Sequence, residues 1–297
     1  MKHLLAIEEL TTGDINAILD WTELPFELSK NLIKKDFVQI NAFYENSTRT
    51  RVSFEMAGKK LGGNVINFDV DTSSEEKGET FVDTMRTLGA MEPDVIVVRH
   101  GRDHFPKEVA RVVNCSVINA GAGIHEHPTQ ALTDALTLRN HFGSLEGLNV
   151  AIVGDILRSR VARSNVILLE KMGAHVTVIG PKAMLPAQVG VWAKPIASYN
   201  MQSIIGCDAV MMLRYQRERM CGELGSIYRE DRVQHDFTLT QERLEEAGNP
   251  MVLHPGPINQ GVEITEEVAY GPKSLILQQV RNGVRVRMAV LSRLIGC

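Results

Sequence analysis

The sequence has 297 residues, 44% of them hydrophobic and 23% charged, with 32 basic and 36 acidic side chains and a net charge of -4. That length suits two domains of ordinary size, and that composition suits a globular protein. The charge balance excludes a protein that works through a general field for nucleic acid or an acidic membrane, so any anionic ligand must be held by local positive charge. The cysteines, Cys115, Cys207, Cys221 and Cys297, lack the short spacing of a zinc knuckle or a redox motif, and reduced thiols in the cytoplasm are the simplest reading. The start, Met1-Lys2-His3-Leu4-Leu5, is too short an apolar run for a signal peptide, and no segment reaches the roughly 18 apolar residues of a membrane helix.

The first residues predict a helix with Thr12 or Asp14 near its cap, and a second helical stretch from about Leu24 to Lys34. The apolar run Phe37 to Phe43 predicts a buried strand. A helical stripe of Phe54, Ala57 and Leu61, with Val52 and Met56 beside it, follows and stops at Gly62-Gly63. Val65 to Phe68 reads as a strand, Asp71 to Glu79 as a polar stretch without period, Thr80 to Leu88 as a helix, and Asp94 to Val98 as a strand ending at Arg99-His100. Phe105 to Val113 reads as helix and Ser116 to Asn119 as strand. Pro128 suits the first position of a long helix to about His141, and the domain change falls there. A second alternating set follows: strand Leu148 to Val153, helix Ser159 to Met172, strand His175 to Ile179, short helix Met201 to Ile205, strand Ala209 to Leu213. From Arg214 to about Phe237 the chain is charged and irregular, which suggests a long mobile loop. Leu239 to Ala247 reads as helix, Met251 to Leu253 as strand, Pro255-Gly256-Pro257 as loop, and Lys273 to Ile295 as one or two helices broken near Asn282-Gly283. Strands alternating with helices predict an α/β fold of two similar-sized domains, 1–128 and 129–283, each a parallel sheet flanked by helices.

In such sheets ligands bind beyond the carboxyl ends of the strands. Ser47-Thr48-Arg49-Thr50 lies where a strand ends and a helix begins. A helix start offers backbone N–H groups and the positive end of the dipole, and here three hydroxyls and the guanidiniums of Arg49 and Arg51 are added, which makes an anion site. A helix cap at Ser47 with solvated arginines is the plainer reading, and it leaves the full cluster unexplained. Arg99, Asp155 to Arg160, Arg214 to Arg219, His127 and the Pro255-Gly256-Pro257 loop also follow predicted strands. Positive charge from Arg49, Arg99, Arg160 and Arg214 fits an anionic ligand with more than one charged group. His127, at a helix entrance where the dipole disfavours the imidazolium, can donate a hydrogen bond to a carbonyl oxygen. His125 and His127 lack a third ligand at sensible spacing, so a metal is rejected. Gly121-Ala122-Gly123-Ile124-His125-Glu126 lacks the final glycine of a dinucleotide fingerprint, which makes a nucleotide-binding protein a weak rival. A non-catalytic subunit keeping only the fold is a second rival, and the intact polar set argues against it.

The stretch Phe43-Tyr44-Glu45-Asn46-Ser47-Thr48-Arg49-Thr50 resembles the Phe-x-Glu-x-Ser-Thr-Arg-Thr signature shared by aspartate and ornithine carbamoyltransferases. His127-Pro128-Thr129-Gln130, Gly154-Asp155 with Arg160, and Arg214-Tyr215-Gln216-Arg217-Glu218-Arg219 are similar to further motifs of that family, in its order. The resemblance implies a C-terminal helix, 284–297, returning to the first domain. It implies carbamoyl phosphate held by Ser47, Thr48, Arg49, Thr50, Arg99, His127, Gln130, Pro255 and Gly256, with Ser73 and Lys77 supplied by a neighbouring subunit. L-aspartate would meet Lys77, Arg160, Arg214, Gln216 and Gly256. Glu45 would bridge to Arg160 and Arg219 on domain closure. His127, Arg99, Thr50, Arg49 and Lys77 are the implied catalytic groups, and no cofactor, metal or covalent nucleophile is called for. Ornithine enzymes carry His-Cys-Leu-Pro where this chain has His254-Pro255-Gly256-Pro257, which favours aspartate. A cytoplasmic homotrimer with shared active sites, the committed step of pyrimidine synthesis, and association with regulatory chains or dihydroorotase are further implications. The chain departs from relatives at Asn46, often Pro; at Ala122, often Asp; and at Gln260, usually Arg.

Overall fold

The computed structural model describes residues 1–30, 32–68, 79–186, 195–216 and 236–296. The chain forms two compact units, Met1–Thr133 with Val280–Cys297, and Asp134–Gln279.

The sheet of the first unit contains β1 (Val38–Phe43), β2 (Asn64–Phe68), β3 (Val95–His100) and β4 (Ser116–Ala122) in the order β2-β1-β3-β4, all parallel. Val95 to Val98 are all buried, as an inner strand covered on both faces requires. After β2 the chain crosses to the far side of β1, so the strand order reverses between β1 and β3, the position where open α/β sheets bind ligands. Its helices are α1 (Thr12–Trp21), α2 (Phe26–Lys30), α3 (Thr48–Lys60), α4 (Phe81–Ala90), α5 (Phe105–Val112) and the first turns of α6 (Pro128–Phe142). α3 buries Phe54, Ala57 and Leu61, as its stripe predicts, but Val52 and Met56 face outward, 47% and 43% exposed. α2 is one short turn rather than the longer helix expected to Lys34.

The last helix, α10 (Ile276–Ile295), is continuous through Asn282-Gly283, where the sequence suggests a break. Packing decides against helix propensity here. The Arg287 guanidinium folds back to donate to the Gly283 carbonyl at 2.8 Å, and a Cβ on Gly283 would lie 2.6 Å from Arg287 Nη1. The glycine makes room for the arginine. As expected, this helix returns to the first unit. Arg285 Nη2 donates to the carbonyls of Thr22 and Leu24, each at 2.7 Å, and Arg293 pairs with Asp14 at 2.9 Å. Asp14 also closes a capping box with Thr11, the true N-cap of α1. Bonds from Thr11 and then Arg293 lower the Asp14 pKa from 3.8 to about 2. A depressed carboxylate contributes stability that is complete above its unfolded value and is lost as pH falls through the folded one. The urea midpoint of the wild type should therefore exceed that of Asp14→Asn at about pH 5, with the gap narrowing as pH falls through 4 toward 2. A gap independent of pH would mean that this carboxylate's charge does not hold α1 and α10 together.

The second unit holds β5 (Asn149–Val153), β6 (His175–Ile179), β7 (Ile196–Ser198), β8 (Ala209–Met212) and β9 (Met251–Leu253) in the order β7-β6-β5-β8-β9, again all parallel. The order reverses between β5 and β8. Among its described residues the helices of this unit are the rest of α6, α7 (Arg160–Lys171), α8 (Gln241–Glu246), α9 (Glu266–Ala269) and the first turn of α10, with 3-10 turns at Lys182–Met184 and Met201–Ile204. β7 and α9 go beyond the sequence reading; at three and four residues they are too short to carry a period. Most of the irregular stretch after Arg214 lies outside the described residues. No helix among the described residues is long and apolar enough to cross a membrane.

Candidate active site

In the first unit, polar side chains gather at the β1/β3 switch point. Ser47 is the N-cap residue of α3 in an extended conformation, but its side chain makes no capping bond, so capping does not account for its hydroxyl. The first ladder bond runs from the Arg51 N–H to the Ser47 carbonyl at 3.2 Å. The N–H groups of Thr48, Arg49 and Thr50 therefore stand outside the helix's own ladder, at the positive end of its dipole. Thr50 is buried, while Thr48 and Arg49 are exposed. Arg99 is the penultimate residue of β3 rather than one beyond its end. Its carbonyl accepts the Tyr44 N–H at 2.8 Å, which ties the loop after β1 to β3. Its Nε lies 3.3 Å from Glu45 Oε2, and its Nη1 donates to the Ala120 carbonyl at 3.5 Å. The guanidinium is thus held between the β1 loop and β4, inside the switch point.

β4 runs to Ala122, three residues past the expected end, and a tight loop then leads to His127. The Glu126 carboxylate accepts the Ile7 N–H at 2.8 Å, and Asn119 Nδ2 donates to the carbonyls of Leu5 at 2.8 Å and Glu126 at 3.3 Å. Gly123 has φ +45°, and a side chain there would run into Asp103. His127 is buried, and its carbonyl accepts the N–H groups of Gln130 and Ala131 at 3.0 and 3.3 Å, so it stands at the entrance of α6 as the motif predicts. Gln130 is half-buried one turn on.

The second unit repeats the arrangement at the β5/β8 switch point. Gly154, with φ +131°, follows β5; a Cβ there would sit 2.6 Å from the Leu213 carbonyl. Only glycine lets the two strand ends approach so closely. Asp155 is fully buried, and its Oδ1 accepts from the Arg158 N–H at 3.3 Å and from Arg158 Nη1 at 3.2 Å. Burial raises the Asp155 pKa, and the Arg158 charge opposes that rise. Arg158 is thereby committed to Asp155, which separates it from Arg160, the buried first residue of α7. After β8, Arg214 and Gln216 are half-buried and Tyr215 between them is buried in the core of the unit. An extended segment puts alternate side chains on opposite sides, so Tyr215 anchors its two neighbours. Gln216 Nε2 donates to the Arg158 carbonyl at 3.2 Å, which joins the loops after β5 and β8. Burial pushes the Tyr215 hydroxyl pKa far up. The alternation Arg-Tyr-Gln after an apolar strand was a signal for Tyr215 that motif matching passes over.

Pro255 and Gly256 follow β9, next to β8. His254 and Glu263, both buried, hold this loop from beneath; nothing in the sequence spacing points to Glu263. Gln260 is exposed, Asn46 is exposed, and Ala122 is buried at the end of β4. Ser73, Lys77 and Arg219 lie outside the described residues. Among the described residues no group of three or more His, Cys, Asp or Glu could hold a metal ion.

Two open parallel sheets, each with an arginine near its switch point, define a two-unit α/β protein. Residues 2–140 match the family model for the aspartate/ornithine carbamoyltransferase carbamoyl-P binding domain, and residues 146–294 match the model for the Asp/Orn binding domain. A relative from Bradyrhizobium diazoefficiens, an aspartate carbamoyltransferase catalytic subunit, is 51% identical over 299 residues, covering 99% of this chain and 94% of its own. One of the same name from Methylorubrum extorquens is 50% identical over 298 residues, with the same coverage. Among solved structures, aspartate transcarbamoylase from Trypanosoma cruzi with carbamoyl aspartate and phosphate superposes with a TM-score of 0.88 at 29% identity, over 99% of this chain and 96% of that one. The catalytic subunit of M. jannaschii aspartate transcarbamoylase gives 0.84 at 30% identity, over 99% and 98%. The chain belongs to the aspartate/ornithine carbamoyltransferase family.

Proposed function

We propose that this chain transfers the carbamoyl group of carbamoyl phosphate to the α-amine of L-aspartate, giving N-carbamoyl-L-aspartate and phosphate. The observation that carries the reading is the Ser47 to Thr50 helix start set against Arg99 at the β1/β3 switch point. This is an anion cradle in a family one of whose solved members is bound to carbamoyl phosphate and aspartate. The amine attacks the carbamoyl carbon, a C–N bond forms, and the tetrahedral oxyanion collapses as the C–O bond to phosphate breaks. The leaving phosphate can accept the amine proton.

In this reading Ser47, Thr48, Arg49 and Thr50 hold the phosphate. Arg99, His127 and Thr50 donate to the developing oxyanion, an interaction that strengthens toward the transition state. Gln130 and the carbonyls of Pro255 and Gly256 orient the carbamoyl amide. Arg160 takes the aspartate α-carboxylate and Arg214 the β-carboxylate, two forks for two carboxylates. The Gln216 amide supports an amine contact: its Nε2 donates to the Arg158 carbonyl, which fixes the amide, and its oxygen is the atom able to accept an amine N–H. Ser73 and Lys77 would come from a neighbouring subunit of a homotrimer, and Glu45 would reach Arg160 and Arg219 as substrates are enclosed. Exposed Val52, Met56 and Ile66 on α3 and the edge strand β2 support a subunit contact on that side of the first unit. Placement in the cytoplasm at the entry to pyrimidine synthesis is part of this reading, and regulatory chains or dihydroorotase are candidate partners.

The test is a substrate panel. Purified protein with carbamoyl phosphate should carbamoylate L-aspartate and leave L-ornithine unchanged. Turnover of ornithine instead would overturn the roles of Arg214 and Gln216, and turnover of neither would reduce the chain to a binding subunit.

A further inference from the structure

We propose that His254 and Glu263 form a buried positioning pair that aims the Pro255 carbonyl at the amide of the transferred group, and so select a carbamoyl over an acyl donor. The inference rests on the carbamoyl-transfer reading above. His254 and Glu263 are both buried, and neither is used by the mechanism already given. His254 Nδ1 accepts the Gly256 backbone N–H at 2.8 Å. A nitrogen that accepts an N–H carries no proton, so the ring proton is on Nε2, which donates to Glu263 Oε1 at 3.1 Å. The same carboxylate oxygen accepts the Asn259 N–H at 2.7 Å. One buried carboxylate thus fixes the imidazole and the far end of the loop together. His254 is itself held by its own N–H, which donates to Gln279 Oε1 at 2.9 Å. Gln279 Nε2 donates to Asp134 Oδ1 at 2.8 Å, and Asp134 Oδ2 accepts from Asn165 at 2.9 Å.

The Gly256 N–H and the Pro255 carbonyl belong to one trans peptide plane and point in opposite directions. With the N–H drawn inward to the imidazole, the carbonyl oxygen is turned away from the buried pair. A neutral carbonyl held at a fixed angle can accept an N–H from a carbamoyl amide, but it has nothing to gain from the methyl of an acetyl group. The pair therefore acts on the amide half of the donor and leaves the phosphate half alone.

His254→Gln and His254→Asn separate the two bonds of the ring. Glutamine can reach Glu263 but gives up the acceptor at Nδ1, whereas asparagine keeps an oxygen near Nδ1 and gives up Glu263. The readouts are kcat/KM for carbamoyl phosphate and the competitive inhibition constant of acetyl phosphate, with thermal midpoints recorded alongside. For His254→Gln, kcat/KM should fall about tenfold while acetyl phosphate inhibition changes less than about threefold. His254→Asn should stay nearer to the wild type. Equal losses toward both ligands, or no difference between the two variants, would overturn the proposal. Should either histidine variant fail to fold, Glu263→Ala decides by the same ratio, with Glu263→Gln expected to restore it. A wild type inactive with carbamoyl phosphate and aspartate would sink the functional reading itself. An active wild type with an unchanged ratio in the variants would sink this inference alone.

Discussion

Arg99→Ala is expected to lower kcat for carbamoyl transfer about 10²- to 10³-fold, the loss that follows removal of one preorganised donor to a developing oxyanion. The size of the effect follows from how the guanidinium is held. It lies at the end of an inner strand, with its main chain tied to the loop after β1 and its side chain set between Glu45 and the Ala120 carbonyl. A donor fixed before substrate arrives needs no reorganisation during the reaction. Removal also leaves the partly buried Glu45 carboxylate without this cation, and if the proposed phosphate site lies there, carbamoyl phosphate affinity should fall as well. Arg99→Lys should recover only part of the loss, because an ammonium cannot reproduce the planar fork. Steady-state rates with both substrates saturating, set beside thermal midpoints, are the measurement. A loss of less than about fivefold in a folded Arg99→Ala would remove Arg99 from the reaction.

Mixing Lys77→Ala and His127→Ala proteins in equal amounts, each nearly inactive alone, should restore about a quarter of wild-type activity after subunit exchange. If every site takes Lys77 from one subunit and His127 from the next, half of the subunits supply an intact lysine and half an intact histidine. The chance that both meet at one site is about one in four. The expectation rests on family resemblance for Lys77. It rests also on the large apolar side chains, Val52, Met56 and Ile66, that α3 and the edge strand β2 present to solvent. Mass measurement of the mixture should give three chains per particle. Exchange without recovery would mean that each site is complete within one subunit, and the shared-site arrangement would be abandoned.

Much of the fold was legible because alternating strand and helix periods are strong, local signals. β1, β2, β3, β5, β6, β8 and β9 each fall within one or two residues of the apolar runs that mark them, and β4 runs three residues past its own. What was not legible depended on side-chain packing that the period of the sequence does not record. Gly283 reads as a helix breaker until Arg287 is seen folded over it. Val52 and Met56 look like core until Phe54 and Ala57 take the buried face. In the site, residues with distinctive chemistry at strand ends could be named from sequence. The residues that hold them could not, since Tyr215, Glu263 and Gln279 are ordinary letters whose role comes from burial and hydrogen bonding. The Asp155–Arg158 pair tells Arg158 from Arg160, and spacing alone carries no trace of that pair.

The boundary between the two units falls inside α6 and again inside α10, so the first unit is discontinuous in the chain and the second is not. During synthesis the second unit can be completed while the first still waits for Val280 onward, the segment that supplies Arg285 to Thr22 and Arg293 to Asp14. The β1/β3 switch point therefore belongs to the unit whose two chain segments must find each other across the whole of the other unit's sequence. A chain stopped at Gln279 would hold every residue of the second unit and only part of the first.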